Sequence, residues 1–350
     1  MKKRNIQLDL IRSIAIILVV LNHAVETYFN GSSEVMVGLN KYFAIVFFTL
    51  GRLGVPLFLI LSGYLLLTRN YDTDQKCILF WKNKLIPLFF TWEIWIVIYC
   101  VYLSWFNNST LDFKYLIKCV LFLEQVQLPH VWYMYMLIGM YISFPIISSI
   151  LKKYSLKTLI FPIIIVYICS MVIPSCNIIL ELLGKGTYSI KLSLWINGGA
   201  YAIYLIIGYY LKVYKNLTFK TWQNILGFFI NLIIIVIIYT FRCNSGNNYR
   251  VWYDFALLPI MSYFLFNILY NVKVEYISNI VKNISKYSFG IYLVHFPIKH
   301  ILYRYFLNIS FSRIGLIFIM TFLCFGISYL IVKIISKFKP LNKLLFLINE

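Results

Sequence analysis

The sequence predicts an all-α, polytopic membrane protein of about ten transmembrane helices with both termini cytoplasmic. Three observations carry this. First, 61% of the 350 residues are hydrophobic, only 13% are charged and the mean hydropathy is +0.80. Soluble domains are about a quarter charged, and disorder requires low hydrophobicity, so both classes are excluded. Second, apolar runs of about 18 residues or more recur along the chain, the length a helix needs to cross a bilayer. Third, the basic residues fall in clusters between those runs. A net charge of +20 would suggest nucleic acid on a soluble domain, but no basic stripe lies outside the loops. Cytoplasmic loops beside anionic lipid account for the charge better.

The ten expected spans are roughly 8–29, 43–68, 86–104, 132–150, 158–174, 194–213, 223–241, 251–271, 288–306 and 314–334. The segments expected inside hold Lys2, Lys3 and Arg4, then Arg69, Lys76, Lys82 and Lys84, then Lys152, Lys153 and Lys157. Lys212, Lys215 and Lys220 follow, then Lys273, Lys282 and Lys286, and finally Lys333, Lys337, Lys339 and Lys343. The outer segments and helix ends are poorer: Lys41, Lys114, Lys118, Lys185, Lys191, Arg242, Arg250, Lys299, Arg304 and Arg313. The basic head and apolar stretch at the start resemble a signal peptide. Asp9 and Arg12 interrupt it, however, and no A-x-A pattern follows, so it reads as a retained first helix. The longest outer segments, near 105–130 and 175–193, are too short for a separate domain, and no repeat is visible. One domain over 1–350 is therefore expected. The seven cysteines show no CxxC pair and no ligand spacing, so no metal site is expected; a Cys176–Cys243 bridge on the outer face has no support beyond their shared side.

Ionisable residues within spans are costly and mark function by default. The short list, in or at the mouth of the spans, is Arg12, His23, Glu26, Arg52, Glu93, His130, Asp254, His295 and His300. Arg12 and His23 stand eleven positions apart, about three turns, so they share one helix face about 16 Å apart along the axis. Glu26 follows at i+3 and is placed to orient the His23 ring. On spacing alone, a working imidazole above a basic anchor and a snorkelling arginine with a histidine bonded between helices are equally good readings. Arg52, in GRLGVPLFLILSGYLL, sits at a depth similar to that of His23, where a guanidinium needs an anion, a carboxylate or carbonyls. A structural ion pair with Glu93 or Asp254 would also satisfy it. Pro56 should kink this span, and Gly51, Gly54 and Gly63 allow close helix approach. His130 and Trp132 open PHVWYMYMLIGMYISFPI at the outer entrance, as sugar contacts or as part of an interfacial belt. His295, in YSFGIYLVHFPI, reads as a packed, hydrogen-bonded histidine or a site residue, and His300 as structural.

Four segments, LDLIRSIAIILVVLNHA with its Arg-x10-His spacing, GRLGVPLFLILSGYLL, PHVWYMYMLIGMYISFP and YSFGIYLVHFPI, run in order from about residue 8 to 300. Together they resemble the integral-membrane acyltransferase family 3, of the bacterial surface-polysaccharide O-acetyltransferase type. The resemblance implies a ten-helix core in the cell's inner membrane. It takes an acyl group, by family default acetyl, from cytoplasmic acyl-CoA and delivers it to a hydroxyl of a glycan or lipid-linked sugar. It places the family's arginine and histidine on Arg12 and His23, its second-helix arginine on Arg52, its entrance motif on His130 and Trp132, and its late histidine on His295. One departure is visible: Lys82 and Lys84 stand where family members often carry arginine, so only point-charge contact with phosphate is expected there. No esterase-like domain is appended, which leaves the acceptor to the membrane part.

These expectations assemble into one mechanism. CoA phosphates dock among Arg12, Lys82 and Lys84, and the pantetheine arm threads between helices one and two. His23 acts as general base, Glu26 holds its tautomer, and Arg52 stabilises the oxyanion. A route through an acyl-His23 intermediate stays open. The alternative is a transporter or flippase for a lipid-linked saccharide, although paired broken helices are not evident. A scaffold protein would leave the inward charges unexplained.

Overall fold

The computed structural model describes residues 4–30, 38–188, 199–214, 219–245, 251–306 and 311–348. Lys2, Lys3, Lys191, Lys215 and Arg250, and the first residues of the expected sixth span, lie outside the described residues. Those described are largely helical, with no strand among them.

Helix α1 (Ile6–Asn30) is followed by α2 (Gly38–Gly51) and α3 (Gly54–Ser62), which runs on into a π-helical segment, Gly63–Leu67. Next, α4 (Asp74–Phe80) passes through a second π-helical segment, Trp81–Leu85, into α5 (Ile86–Phe106). The short α6 (Phe113–Val120) leads to α7 (Trp132–Lys153), and α8 (Leu156–Tyr167) continues through Ile168–Val172 into α9 (Ile173–Leu182). Then come α10 (Gly199–Val213), α11 (Thr221–Asn244), α12 (Leu257–Tyr270), α13 (Ser278–Phe306), α14 (Arg313–Ile335) and α15 (Lys339–Phe346).

Among the described residues each expected span overlaps one of these helices or helix pairs, the eighth only from Leu257 onward. Among the described residues, seven stretches are long and apolar enough to cross a membrane: Ile6–Phe29, Gly38–Leu67, Asp74–Phe106, Trp132–Lys153, Leu156–Leu182, Thr221–Asn244 and Arg313–Ile335. The chain is a multi-pass membrane protein. Helices α10 and α12 are apolar but shorter among the described residues, and α13 is long but carries Lys282, Lys286, Lys299 and Arg304 among its polar residues.

Burial sorts the helices into centre and rim. In the apolar window of α1, 72% of residues are buried, against 11% for Leu156–Leu182. Helix α1 packs against α2, α3, α12, α13 and α14; Ile11, Ala15, Ile16 and Val25 are fully enclosed. The rim helices α8 and α11 instead expose Phe161, Ile164, Phe229 and Ile233, which lipid covers at no cost.

The α1 seam is tight because of two glycines. A Cβ on Gly54 would lie 2.7 Å from the Ala15 carbonyl oxygen, and one on Gly51 would lie 2.8 Å from Asn22. Such small-residue contacts let backbones meet. At these two points the backbones of α1 and the α2–α3 unit are in close contact.

The α2–α3 unit breaks at Arg52–Leu53. The Leu53 N–H reaches back only three residues, to Leu50 O (3.0 Å), and Pro56 has no N–H to give the Arg52 carbonyl. The kink that Pro56 predicts thus falls at the buried cation. The C-terminal α15 was not foreseen. It lies against α5, where Trp95 Nε1 donates to Leu345 O (2.9 Å) and Thr91 Oγ1 to Leu344 O (2.8 Å). Its eight residues are too few for periodicity to stand out. All seven cysteines are free, Cys176 and Cys243 included.

Candidate functional site

A cavity of about 100 Å³, enough for several waters or a small polar group, opens beside the C-terminal half of α1. Helix α1 supplies Asn22, His23 and Glu26; the α2–α3 break supplies Arg52; the segment before α7 supplies His130, and α7 itself Trp132 and Tyr133. Trp252 and Tyr253, just before α12, and Tyr292 of α13 complete the wall.

Glu26 joins the two charged partners. His23 Nδ1 lies 3.2 Å from Glu26 Oε2, and Arg52 Nη2 lies 3.8 Å from Glu26 Oε1. A carboxylate only accepts, so Nδ1 carries the hydrogen and His23 Nε2 keeps its lone pair. Arg52 is almost wholly buried. Its Nη1 donates to Tyr253 Oη (3.3 Å), while Nε and Nη2 have no hydrogen bond. Three aromatic rings surround the charge: Cζ is 4.6 Å from the Phe48 centroid, 4.8 Å from Trp252 and 5.2 Å from Tyr253. Aromatic faces and one carboxylate compensate the desolvated guanidinium. Its partner is therefore Glu26, not Glu93 or Asp254.

Two more imidazoles stand next to His23. The His295 ring centroid is 5.4 Å from that of His23 and 5.3 Å from that of His130. Their hydrogen bonds fix the tautomers. His295 Nδ1 donates to Tyr292 O (2.6 Å), leaving Nε2 buried and unpartnered. Pro297 deprives the Leu293 carbonyl of its usual helical N–H donor, and Tyr99 Oη donates to it instead (2.6 Å). With that hydroxyl hydrogen committed, the 3.1 Å contact between Tyr99 and His130 must have His130 Nε2 as donor. His130 Nδ1 is left bare and buried. Tyr292 Oη holds the His130 carbonyl (2.7 Å), which fixes the loop to α13. All three imidazoles thus retain one ring nitrogen lone pair with no protein donor.

The structure therefore brings His23, Glu26, Arg52, His130 and Trp132 around one cavity, with His295 behind His23. It does not bring Arg12, Lys82 or Lys84 there. The Arg12 side chain is one third exposed; its Nη1 donates to Ser285 Oγ (3.1 Å) and lies 3.7 Å from Asp9. Lys82 and Lys84 sit on the π-helical segment before α5, Lys82 exposed and Lys84 partly so. Arg69 lies close enough for its charge to reach Lys84 and Tyr141, and Tyr141 in turn stands near Arg12. His300 packs between Phe106 and Phe296 (centroids 5.3 and 4.8 Å). Glu93 is half-buried, and its enclosed carboxylate oxygens have no hydrogen-bond partner.

Sequence reasoning missed Tyr99, Trp252, Tyr253 and Lys299. The last stands one turn beyond His295 and is buried, with Nζ 3.8 Å from the Phe296 centroid. Its i+4 spacing from His295 was the available signal. The tyrosines and Trp252 gave none, being a few among many aromatics. Among the described residues no group of His, Cys, Asp or Glu is arranged to hold a metal ion.

No curated protein and no solved structure matches the chain. A family model does: the acyltransferase domain Acyl_transf_3 matches residues 5–333, nearly the whole chain and every residue of the cavity. The chain belongs to acyltransferase family 3 and is a membrane-type acyltransferase.

Proposed function

We propose that the protein is an O-acyltransferase. It moves an acyl group, acetyl by family default, from cytoplasmic acyl-CoA to a hydroxyl of a cell-surface polysaccharide, lipid-linked sugar or similar envelope glycan. In this reading it spans the cytoplasmic membrane with both termini inside. The observation that carries the proposal is the shared carboxylate. Glu26 touches both the His23 imidazole and the Arg52 guanidinium at the edge of one cavity, which supports a base and an oxyanion partner acting on one reacting carbon.

His23 Nε2 takes the proton of the acceptor hydroxyl, whose oxygen attacks the thioester carbonyl. Negative charge gathers on the carbonyl oxygen and is met by Arg52, whose Nε and Nη2 have no other hydrogen bond. Collapse breaks the carbon–sulfur bond, and the leaving thiolate recovers the proton from His23. The products are the O-acyl ester and free CoA. Glu26 keeps the hydrogen on Nδ1, so that Nε2 faces the substrate. His130 and Trp132 contact the acceptor, and His295 packs behind the base. Acidification should slow transfer, because a protonated His23 has no lone pair to offer.

CoA phosphates meet Arg12, Lys82 and Lys84, with Arg69 beside them. Because α1 meets the α2–α3 unit closely at Gly51 and Gly54, the pantetheine arm is assigned instead to the α1–α7 side, where Tyr133 lines the cavity and Tyr141 stands near Arg12. The test is transfer of labelled acetyl from acetyl-CoA to extracted envelope glycolipid by membranes containing the protein. Label should enter the glycan in alkali-labile form with wild type and not with His23→Ala. Glycolipid translocation without label transfer would favour the flippase reading.

A further inference from the structure

A second cavity, of about 300 Å³, adjoins the first. It lies between α9, the end of α11 and the segment before α12, and its size falls at the lower edge of small-ligand pockets. Trp252 lines both cavities. On one side its ring lies 4.8 Å from the Arg52 guanidinium and packs at a tilt against Trp132 (5.9 Å) and Tyr253 (5.3 Å). It is nevertheless 39% exposed, so part of the indole faces outward.

Most polar groups of the second cavity are already engaged. Ser175 Oγ donates to Met171 O (2.7 Å) and accepts from the Ala256 N–H (2.8 Å). The Asn177 amide bonds the Tyr188 backbone in both directions, and Glu181 is ion-paired with Arg242. Asp254 differs. It lines the cavity, is partly buried, and its carboxylate has no hydrogen bond or ion pair with another residue among the described residues. What the cavity offers a ligand is therefore a flat aromatic face and carboxylate lone pairs. A pyranose ring is their complement: its C–H face packs on indole, and its hydroxyls donate to carboxylate.

We propose that this cavity is the acceptor subsite. One sugar ring of the glycan rests against Trp252 and donates a hydroxyl hydrogen to Asp254, and the hydroxyl to be acylated reaches past Trp252 toward His23 Nε2. This rests on the acyltransfer reading above and adds where the acceptor is held.

The test uses the full chain in membranes. Labelled acetyl-CoA and the glycolipid fraction extracted from the source cells are titrated separately, for wild type, Asp254→Asn and Asp254→Glu. Asp254→Asn is nearly isosteric, removes the charge and weakens the acceptor. The amount of glycolipid for half-maximal transfer should rise about ten-fold or more, the worth of one hydrogen bond to a charged group. The acetyl-CoA requirement should stay at its wild-type value, and the rate should recover at high glycolipid. Asp254→Glu should restore much of the affinity. An unchanged glycolipid requirement, or an equal rise in the acetyl-CoA requirement, would overturn the subsite. Absence of transfer by wild type would instead remove the acyltransfer reading, and the subsite with it.

Discussion

Helix α1 carries a polar cluster in each half. In the N-terminal half, Asp9 accepts from Arg4 Nε (2.6 Å), Arg4 Nη2 (3.1 Å) and Ser285 Oγ (2.6 Å), and lies 3.7 Å from Arg12. Ser13 Oγ reaches both Asp9 O and Val281 O. These bonds tie α1 to α13, and the acid in the first turn also suits the helix dipole. In the C-terminal half, His130 Nδ1, His295 Nε2 and two Arg52 nitrogens are buried with no hydrogen-bond partner, Glu26 meeting Arg52 only as an ion pair at 3.8 Å. Polar groups that only join helices are satisfied within the protein, since an unmet buried group costs about 1–3 kcal/mol. A cluster held in deficit suits a substrate that brings the missing donors and acceptors.

The sharpest way to break this contrast is at the unsatisfied end. His23→Ala or Arg52→Ala should lower acyl transfer by about 100-fold or more, the usual worth of a general base or an oxyanion donor, with the protein still inserted. Membrane-fraction blots beside a transfer assay check both halves of the prediction. Glu26→Gln should cost less, about 10- to 100-fold, because the amide oxygen still accepts from His23 while the charge facing Arg52 is gone. Lys84→Ala should chiefly raise the half-saturating acyl-CoA concentration a few-fold, in keeping with a partly screened charge worth about 1 kcal/mol or less, with maximal rate nearly unchanged. At the satisfied end, Asp9→Asn should leave transfer close to wild type and lower thermal stability instead, by about 1–3 kcal/mol for a buried carboxylate that loses its charge-assisted bonds. Loss of transfer there without loss of stability would erase the distinction between the two ends.

Much of this was legible in the sequence because it is local. Apolar length located the helices, and the eleven-residue spacing of Arg12 and His23 placed both on one face of α1. The i+3 spacing put Glu26 within reach of the imidazole, Pro56 marked a kink in a span that breaks just before it, and Gly51 and Gly54 marked close helix approach. What escaped depends on contacts between distant segments. Glu26 rather than Glu93 or Asp254 faces Arg52 because the α2–α3 break turns the guanidinium toward α1. Tyr99 meets His130 only because Pro297 frees a carbonyl on a helix nearly two hundred residues further along the chain. Nor could hydropathy show that Ser285 and Tyr292 of α13 meet Arg12 and the cavity.

The central claim is that His23 removes a proton from the acceptor as the acyl group leaves CoA. Its most direct test is the rate of labelled acetyl transfer from acetyl-CoA to glycolipid by wild type and His23→Ala at equal membrane content. The account predicts ready transfer by wild type and a rate at background for the variant; equal rates would contradict it.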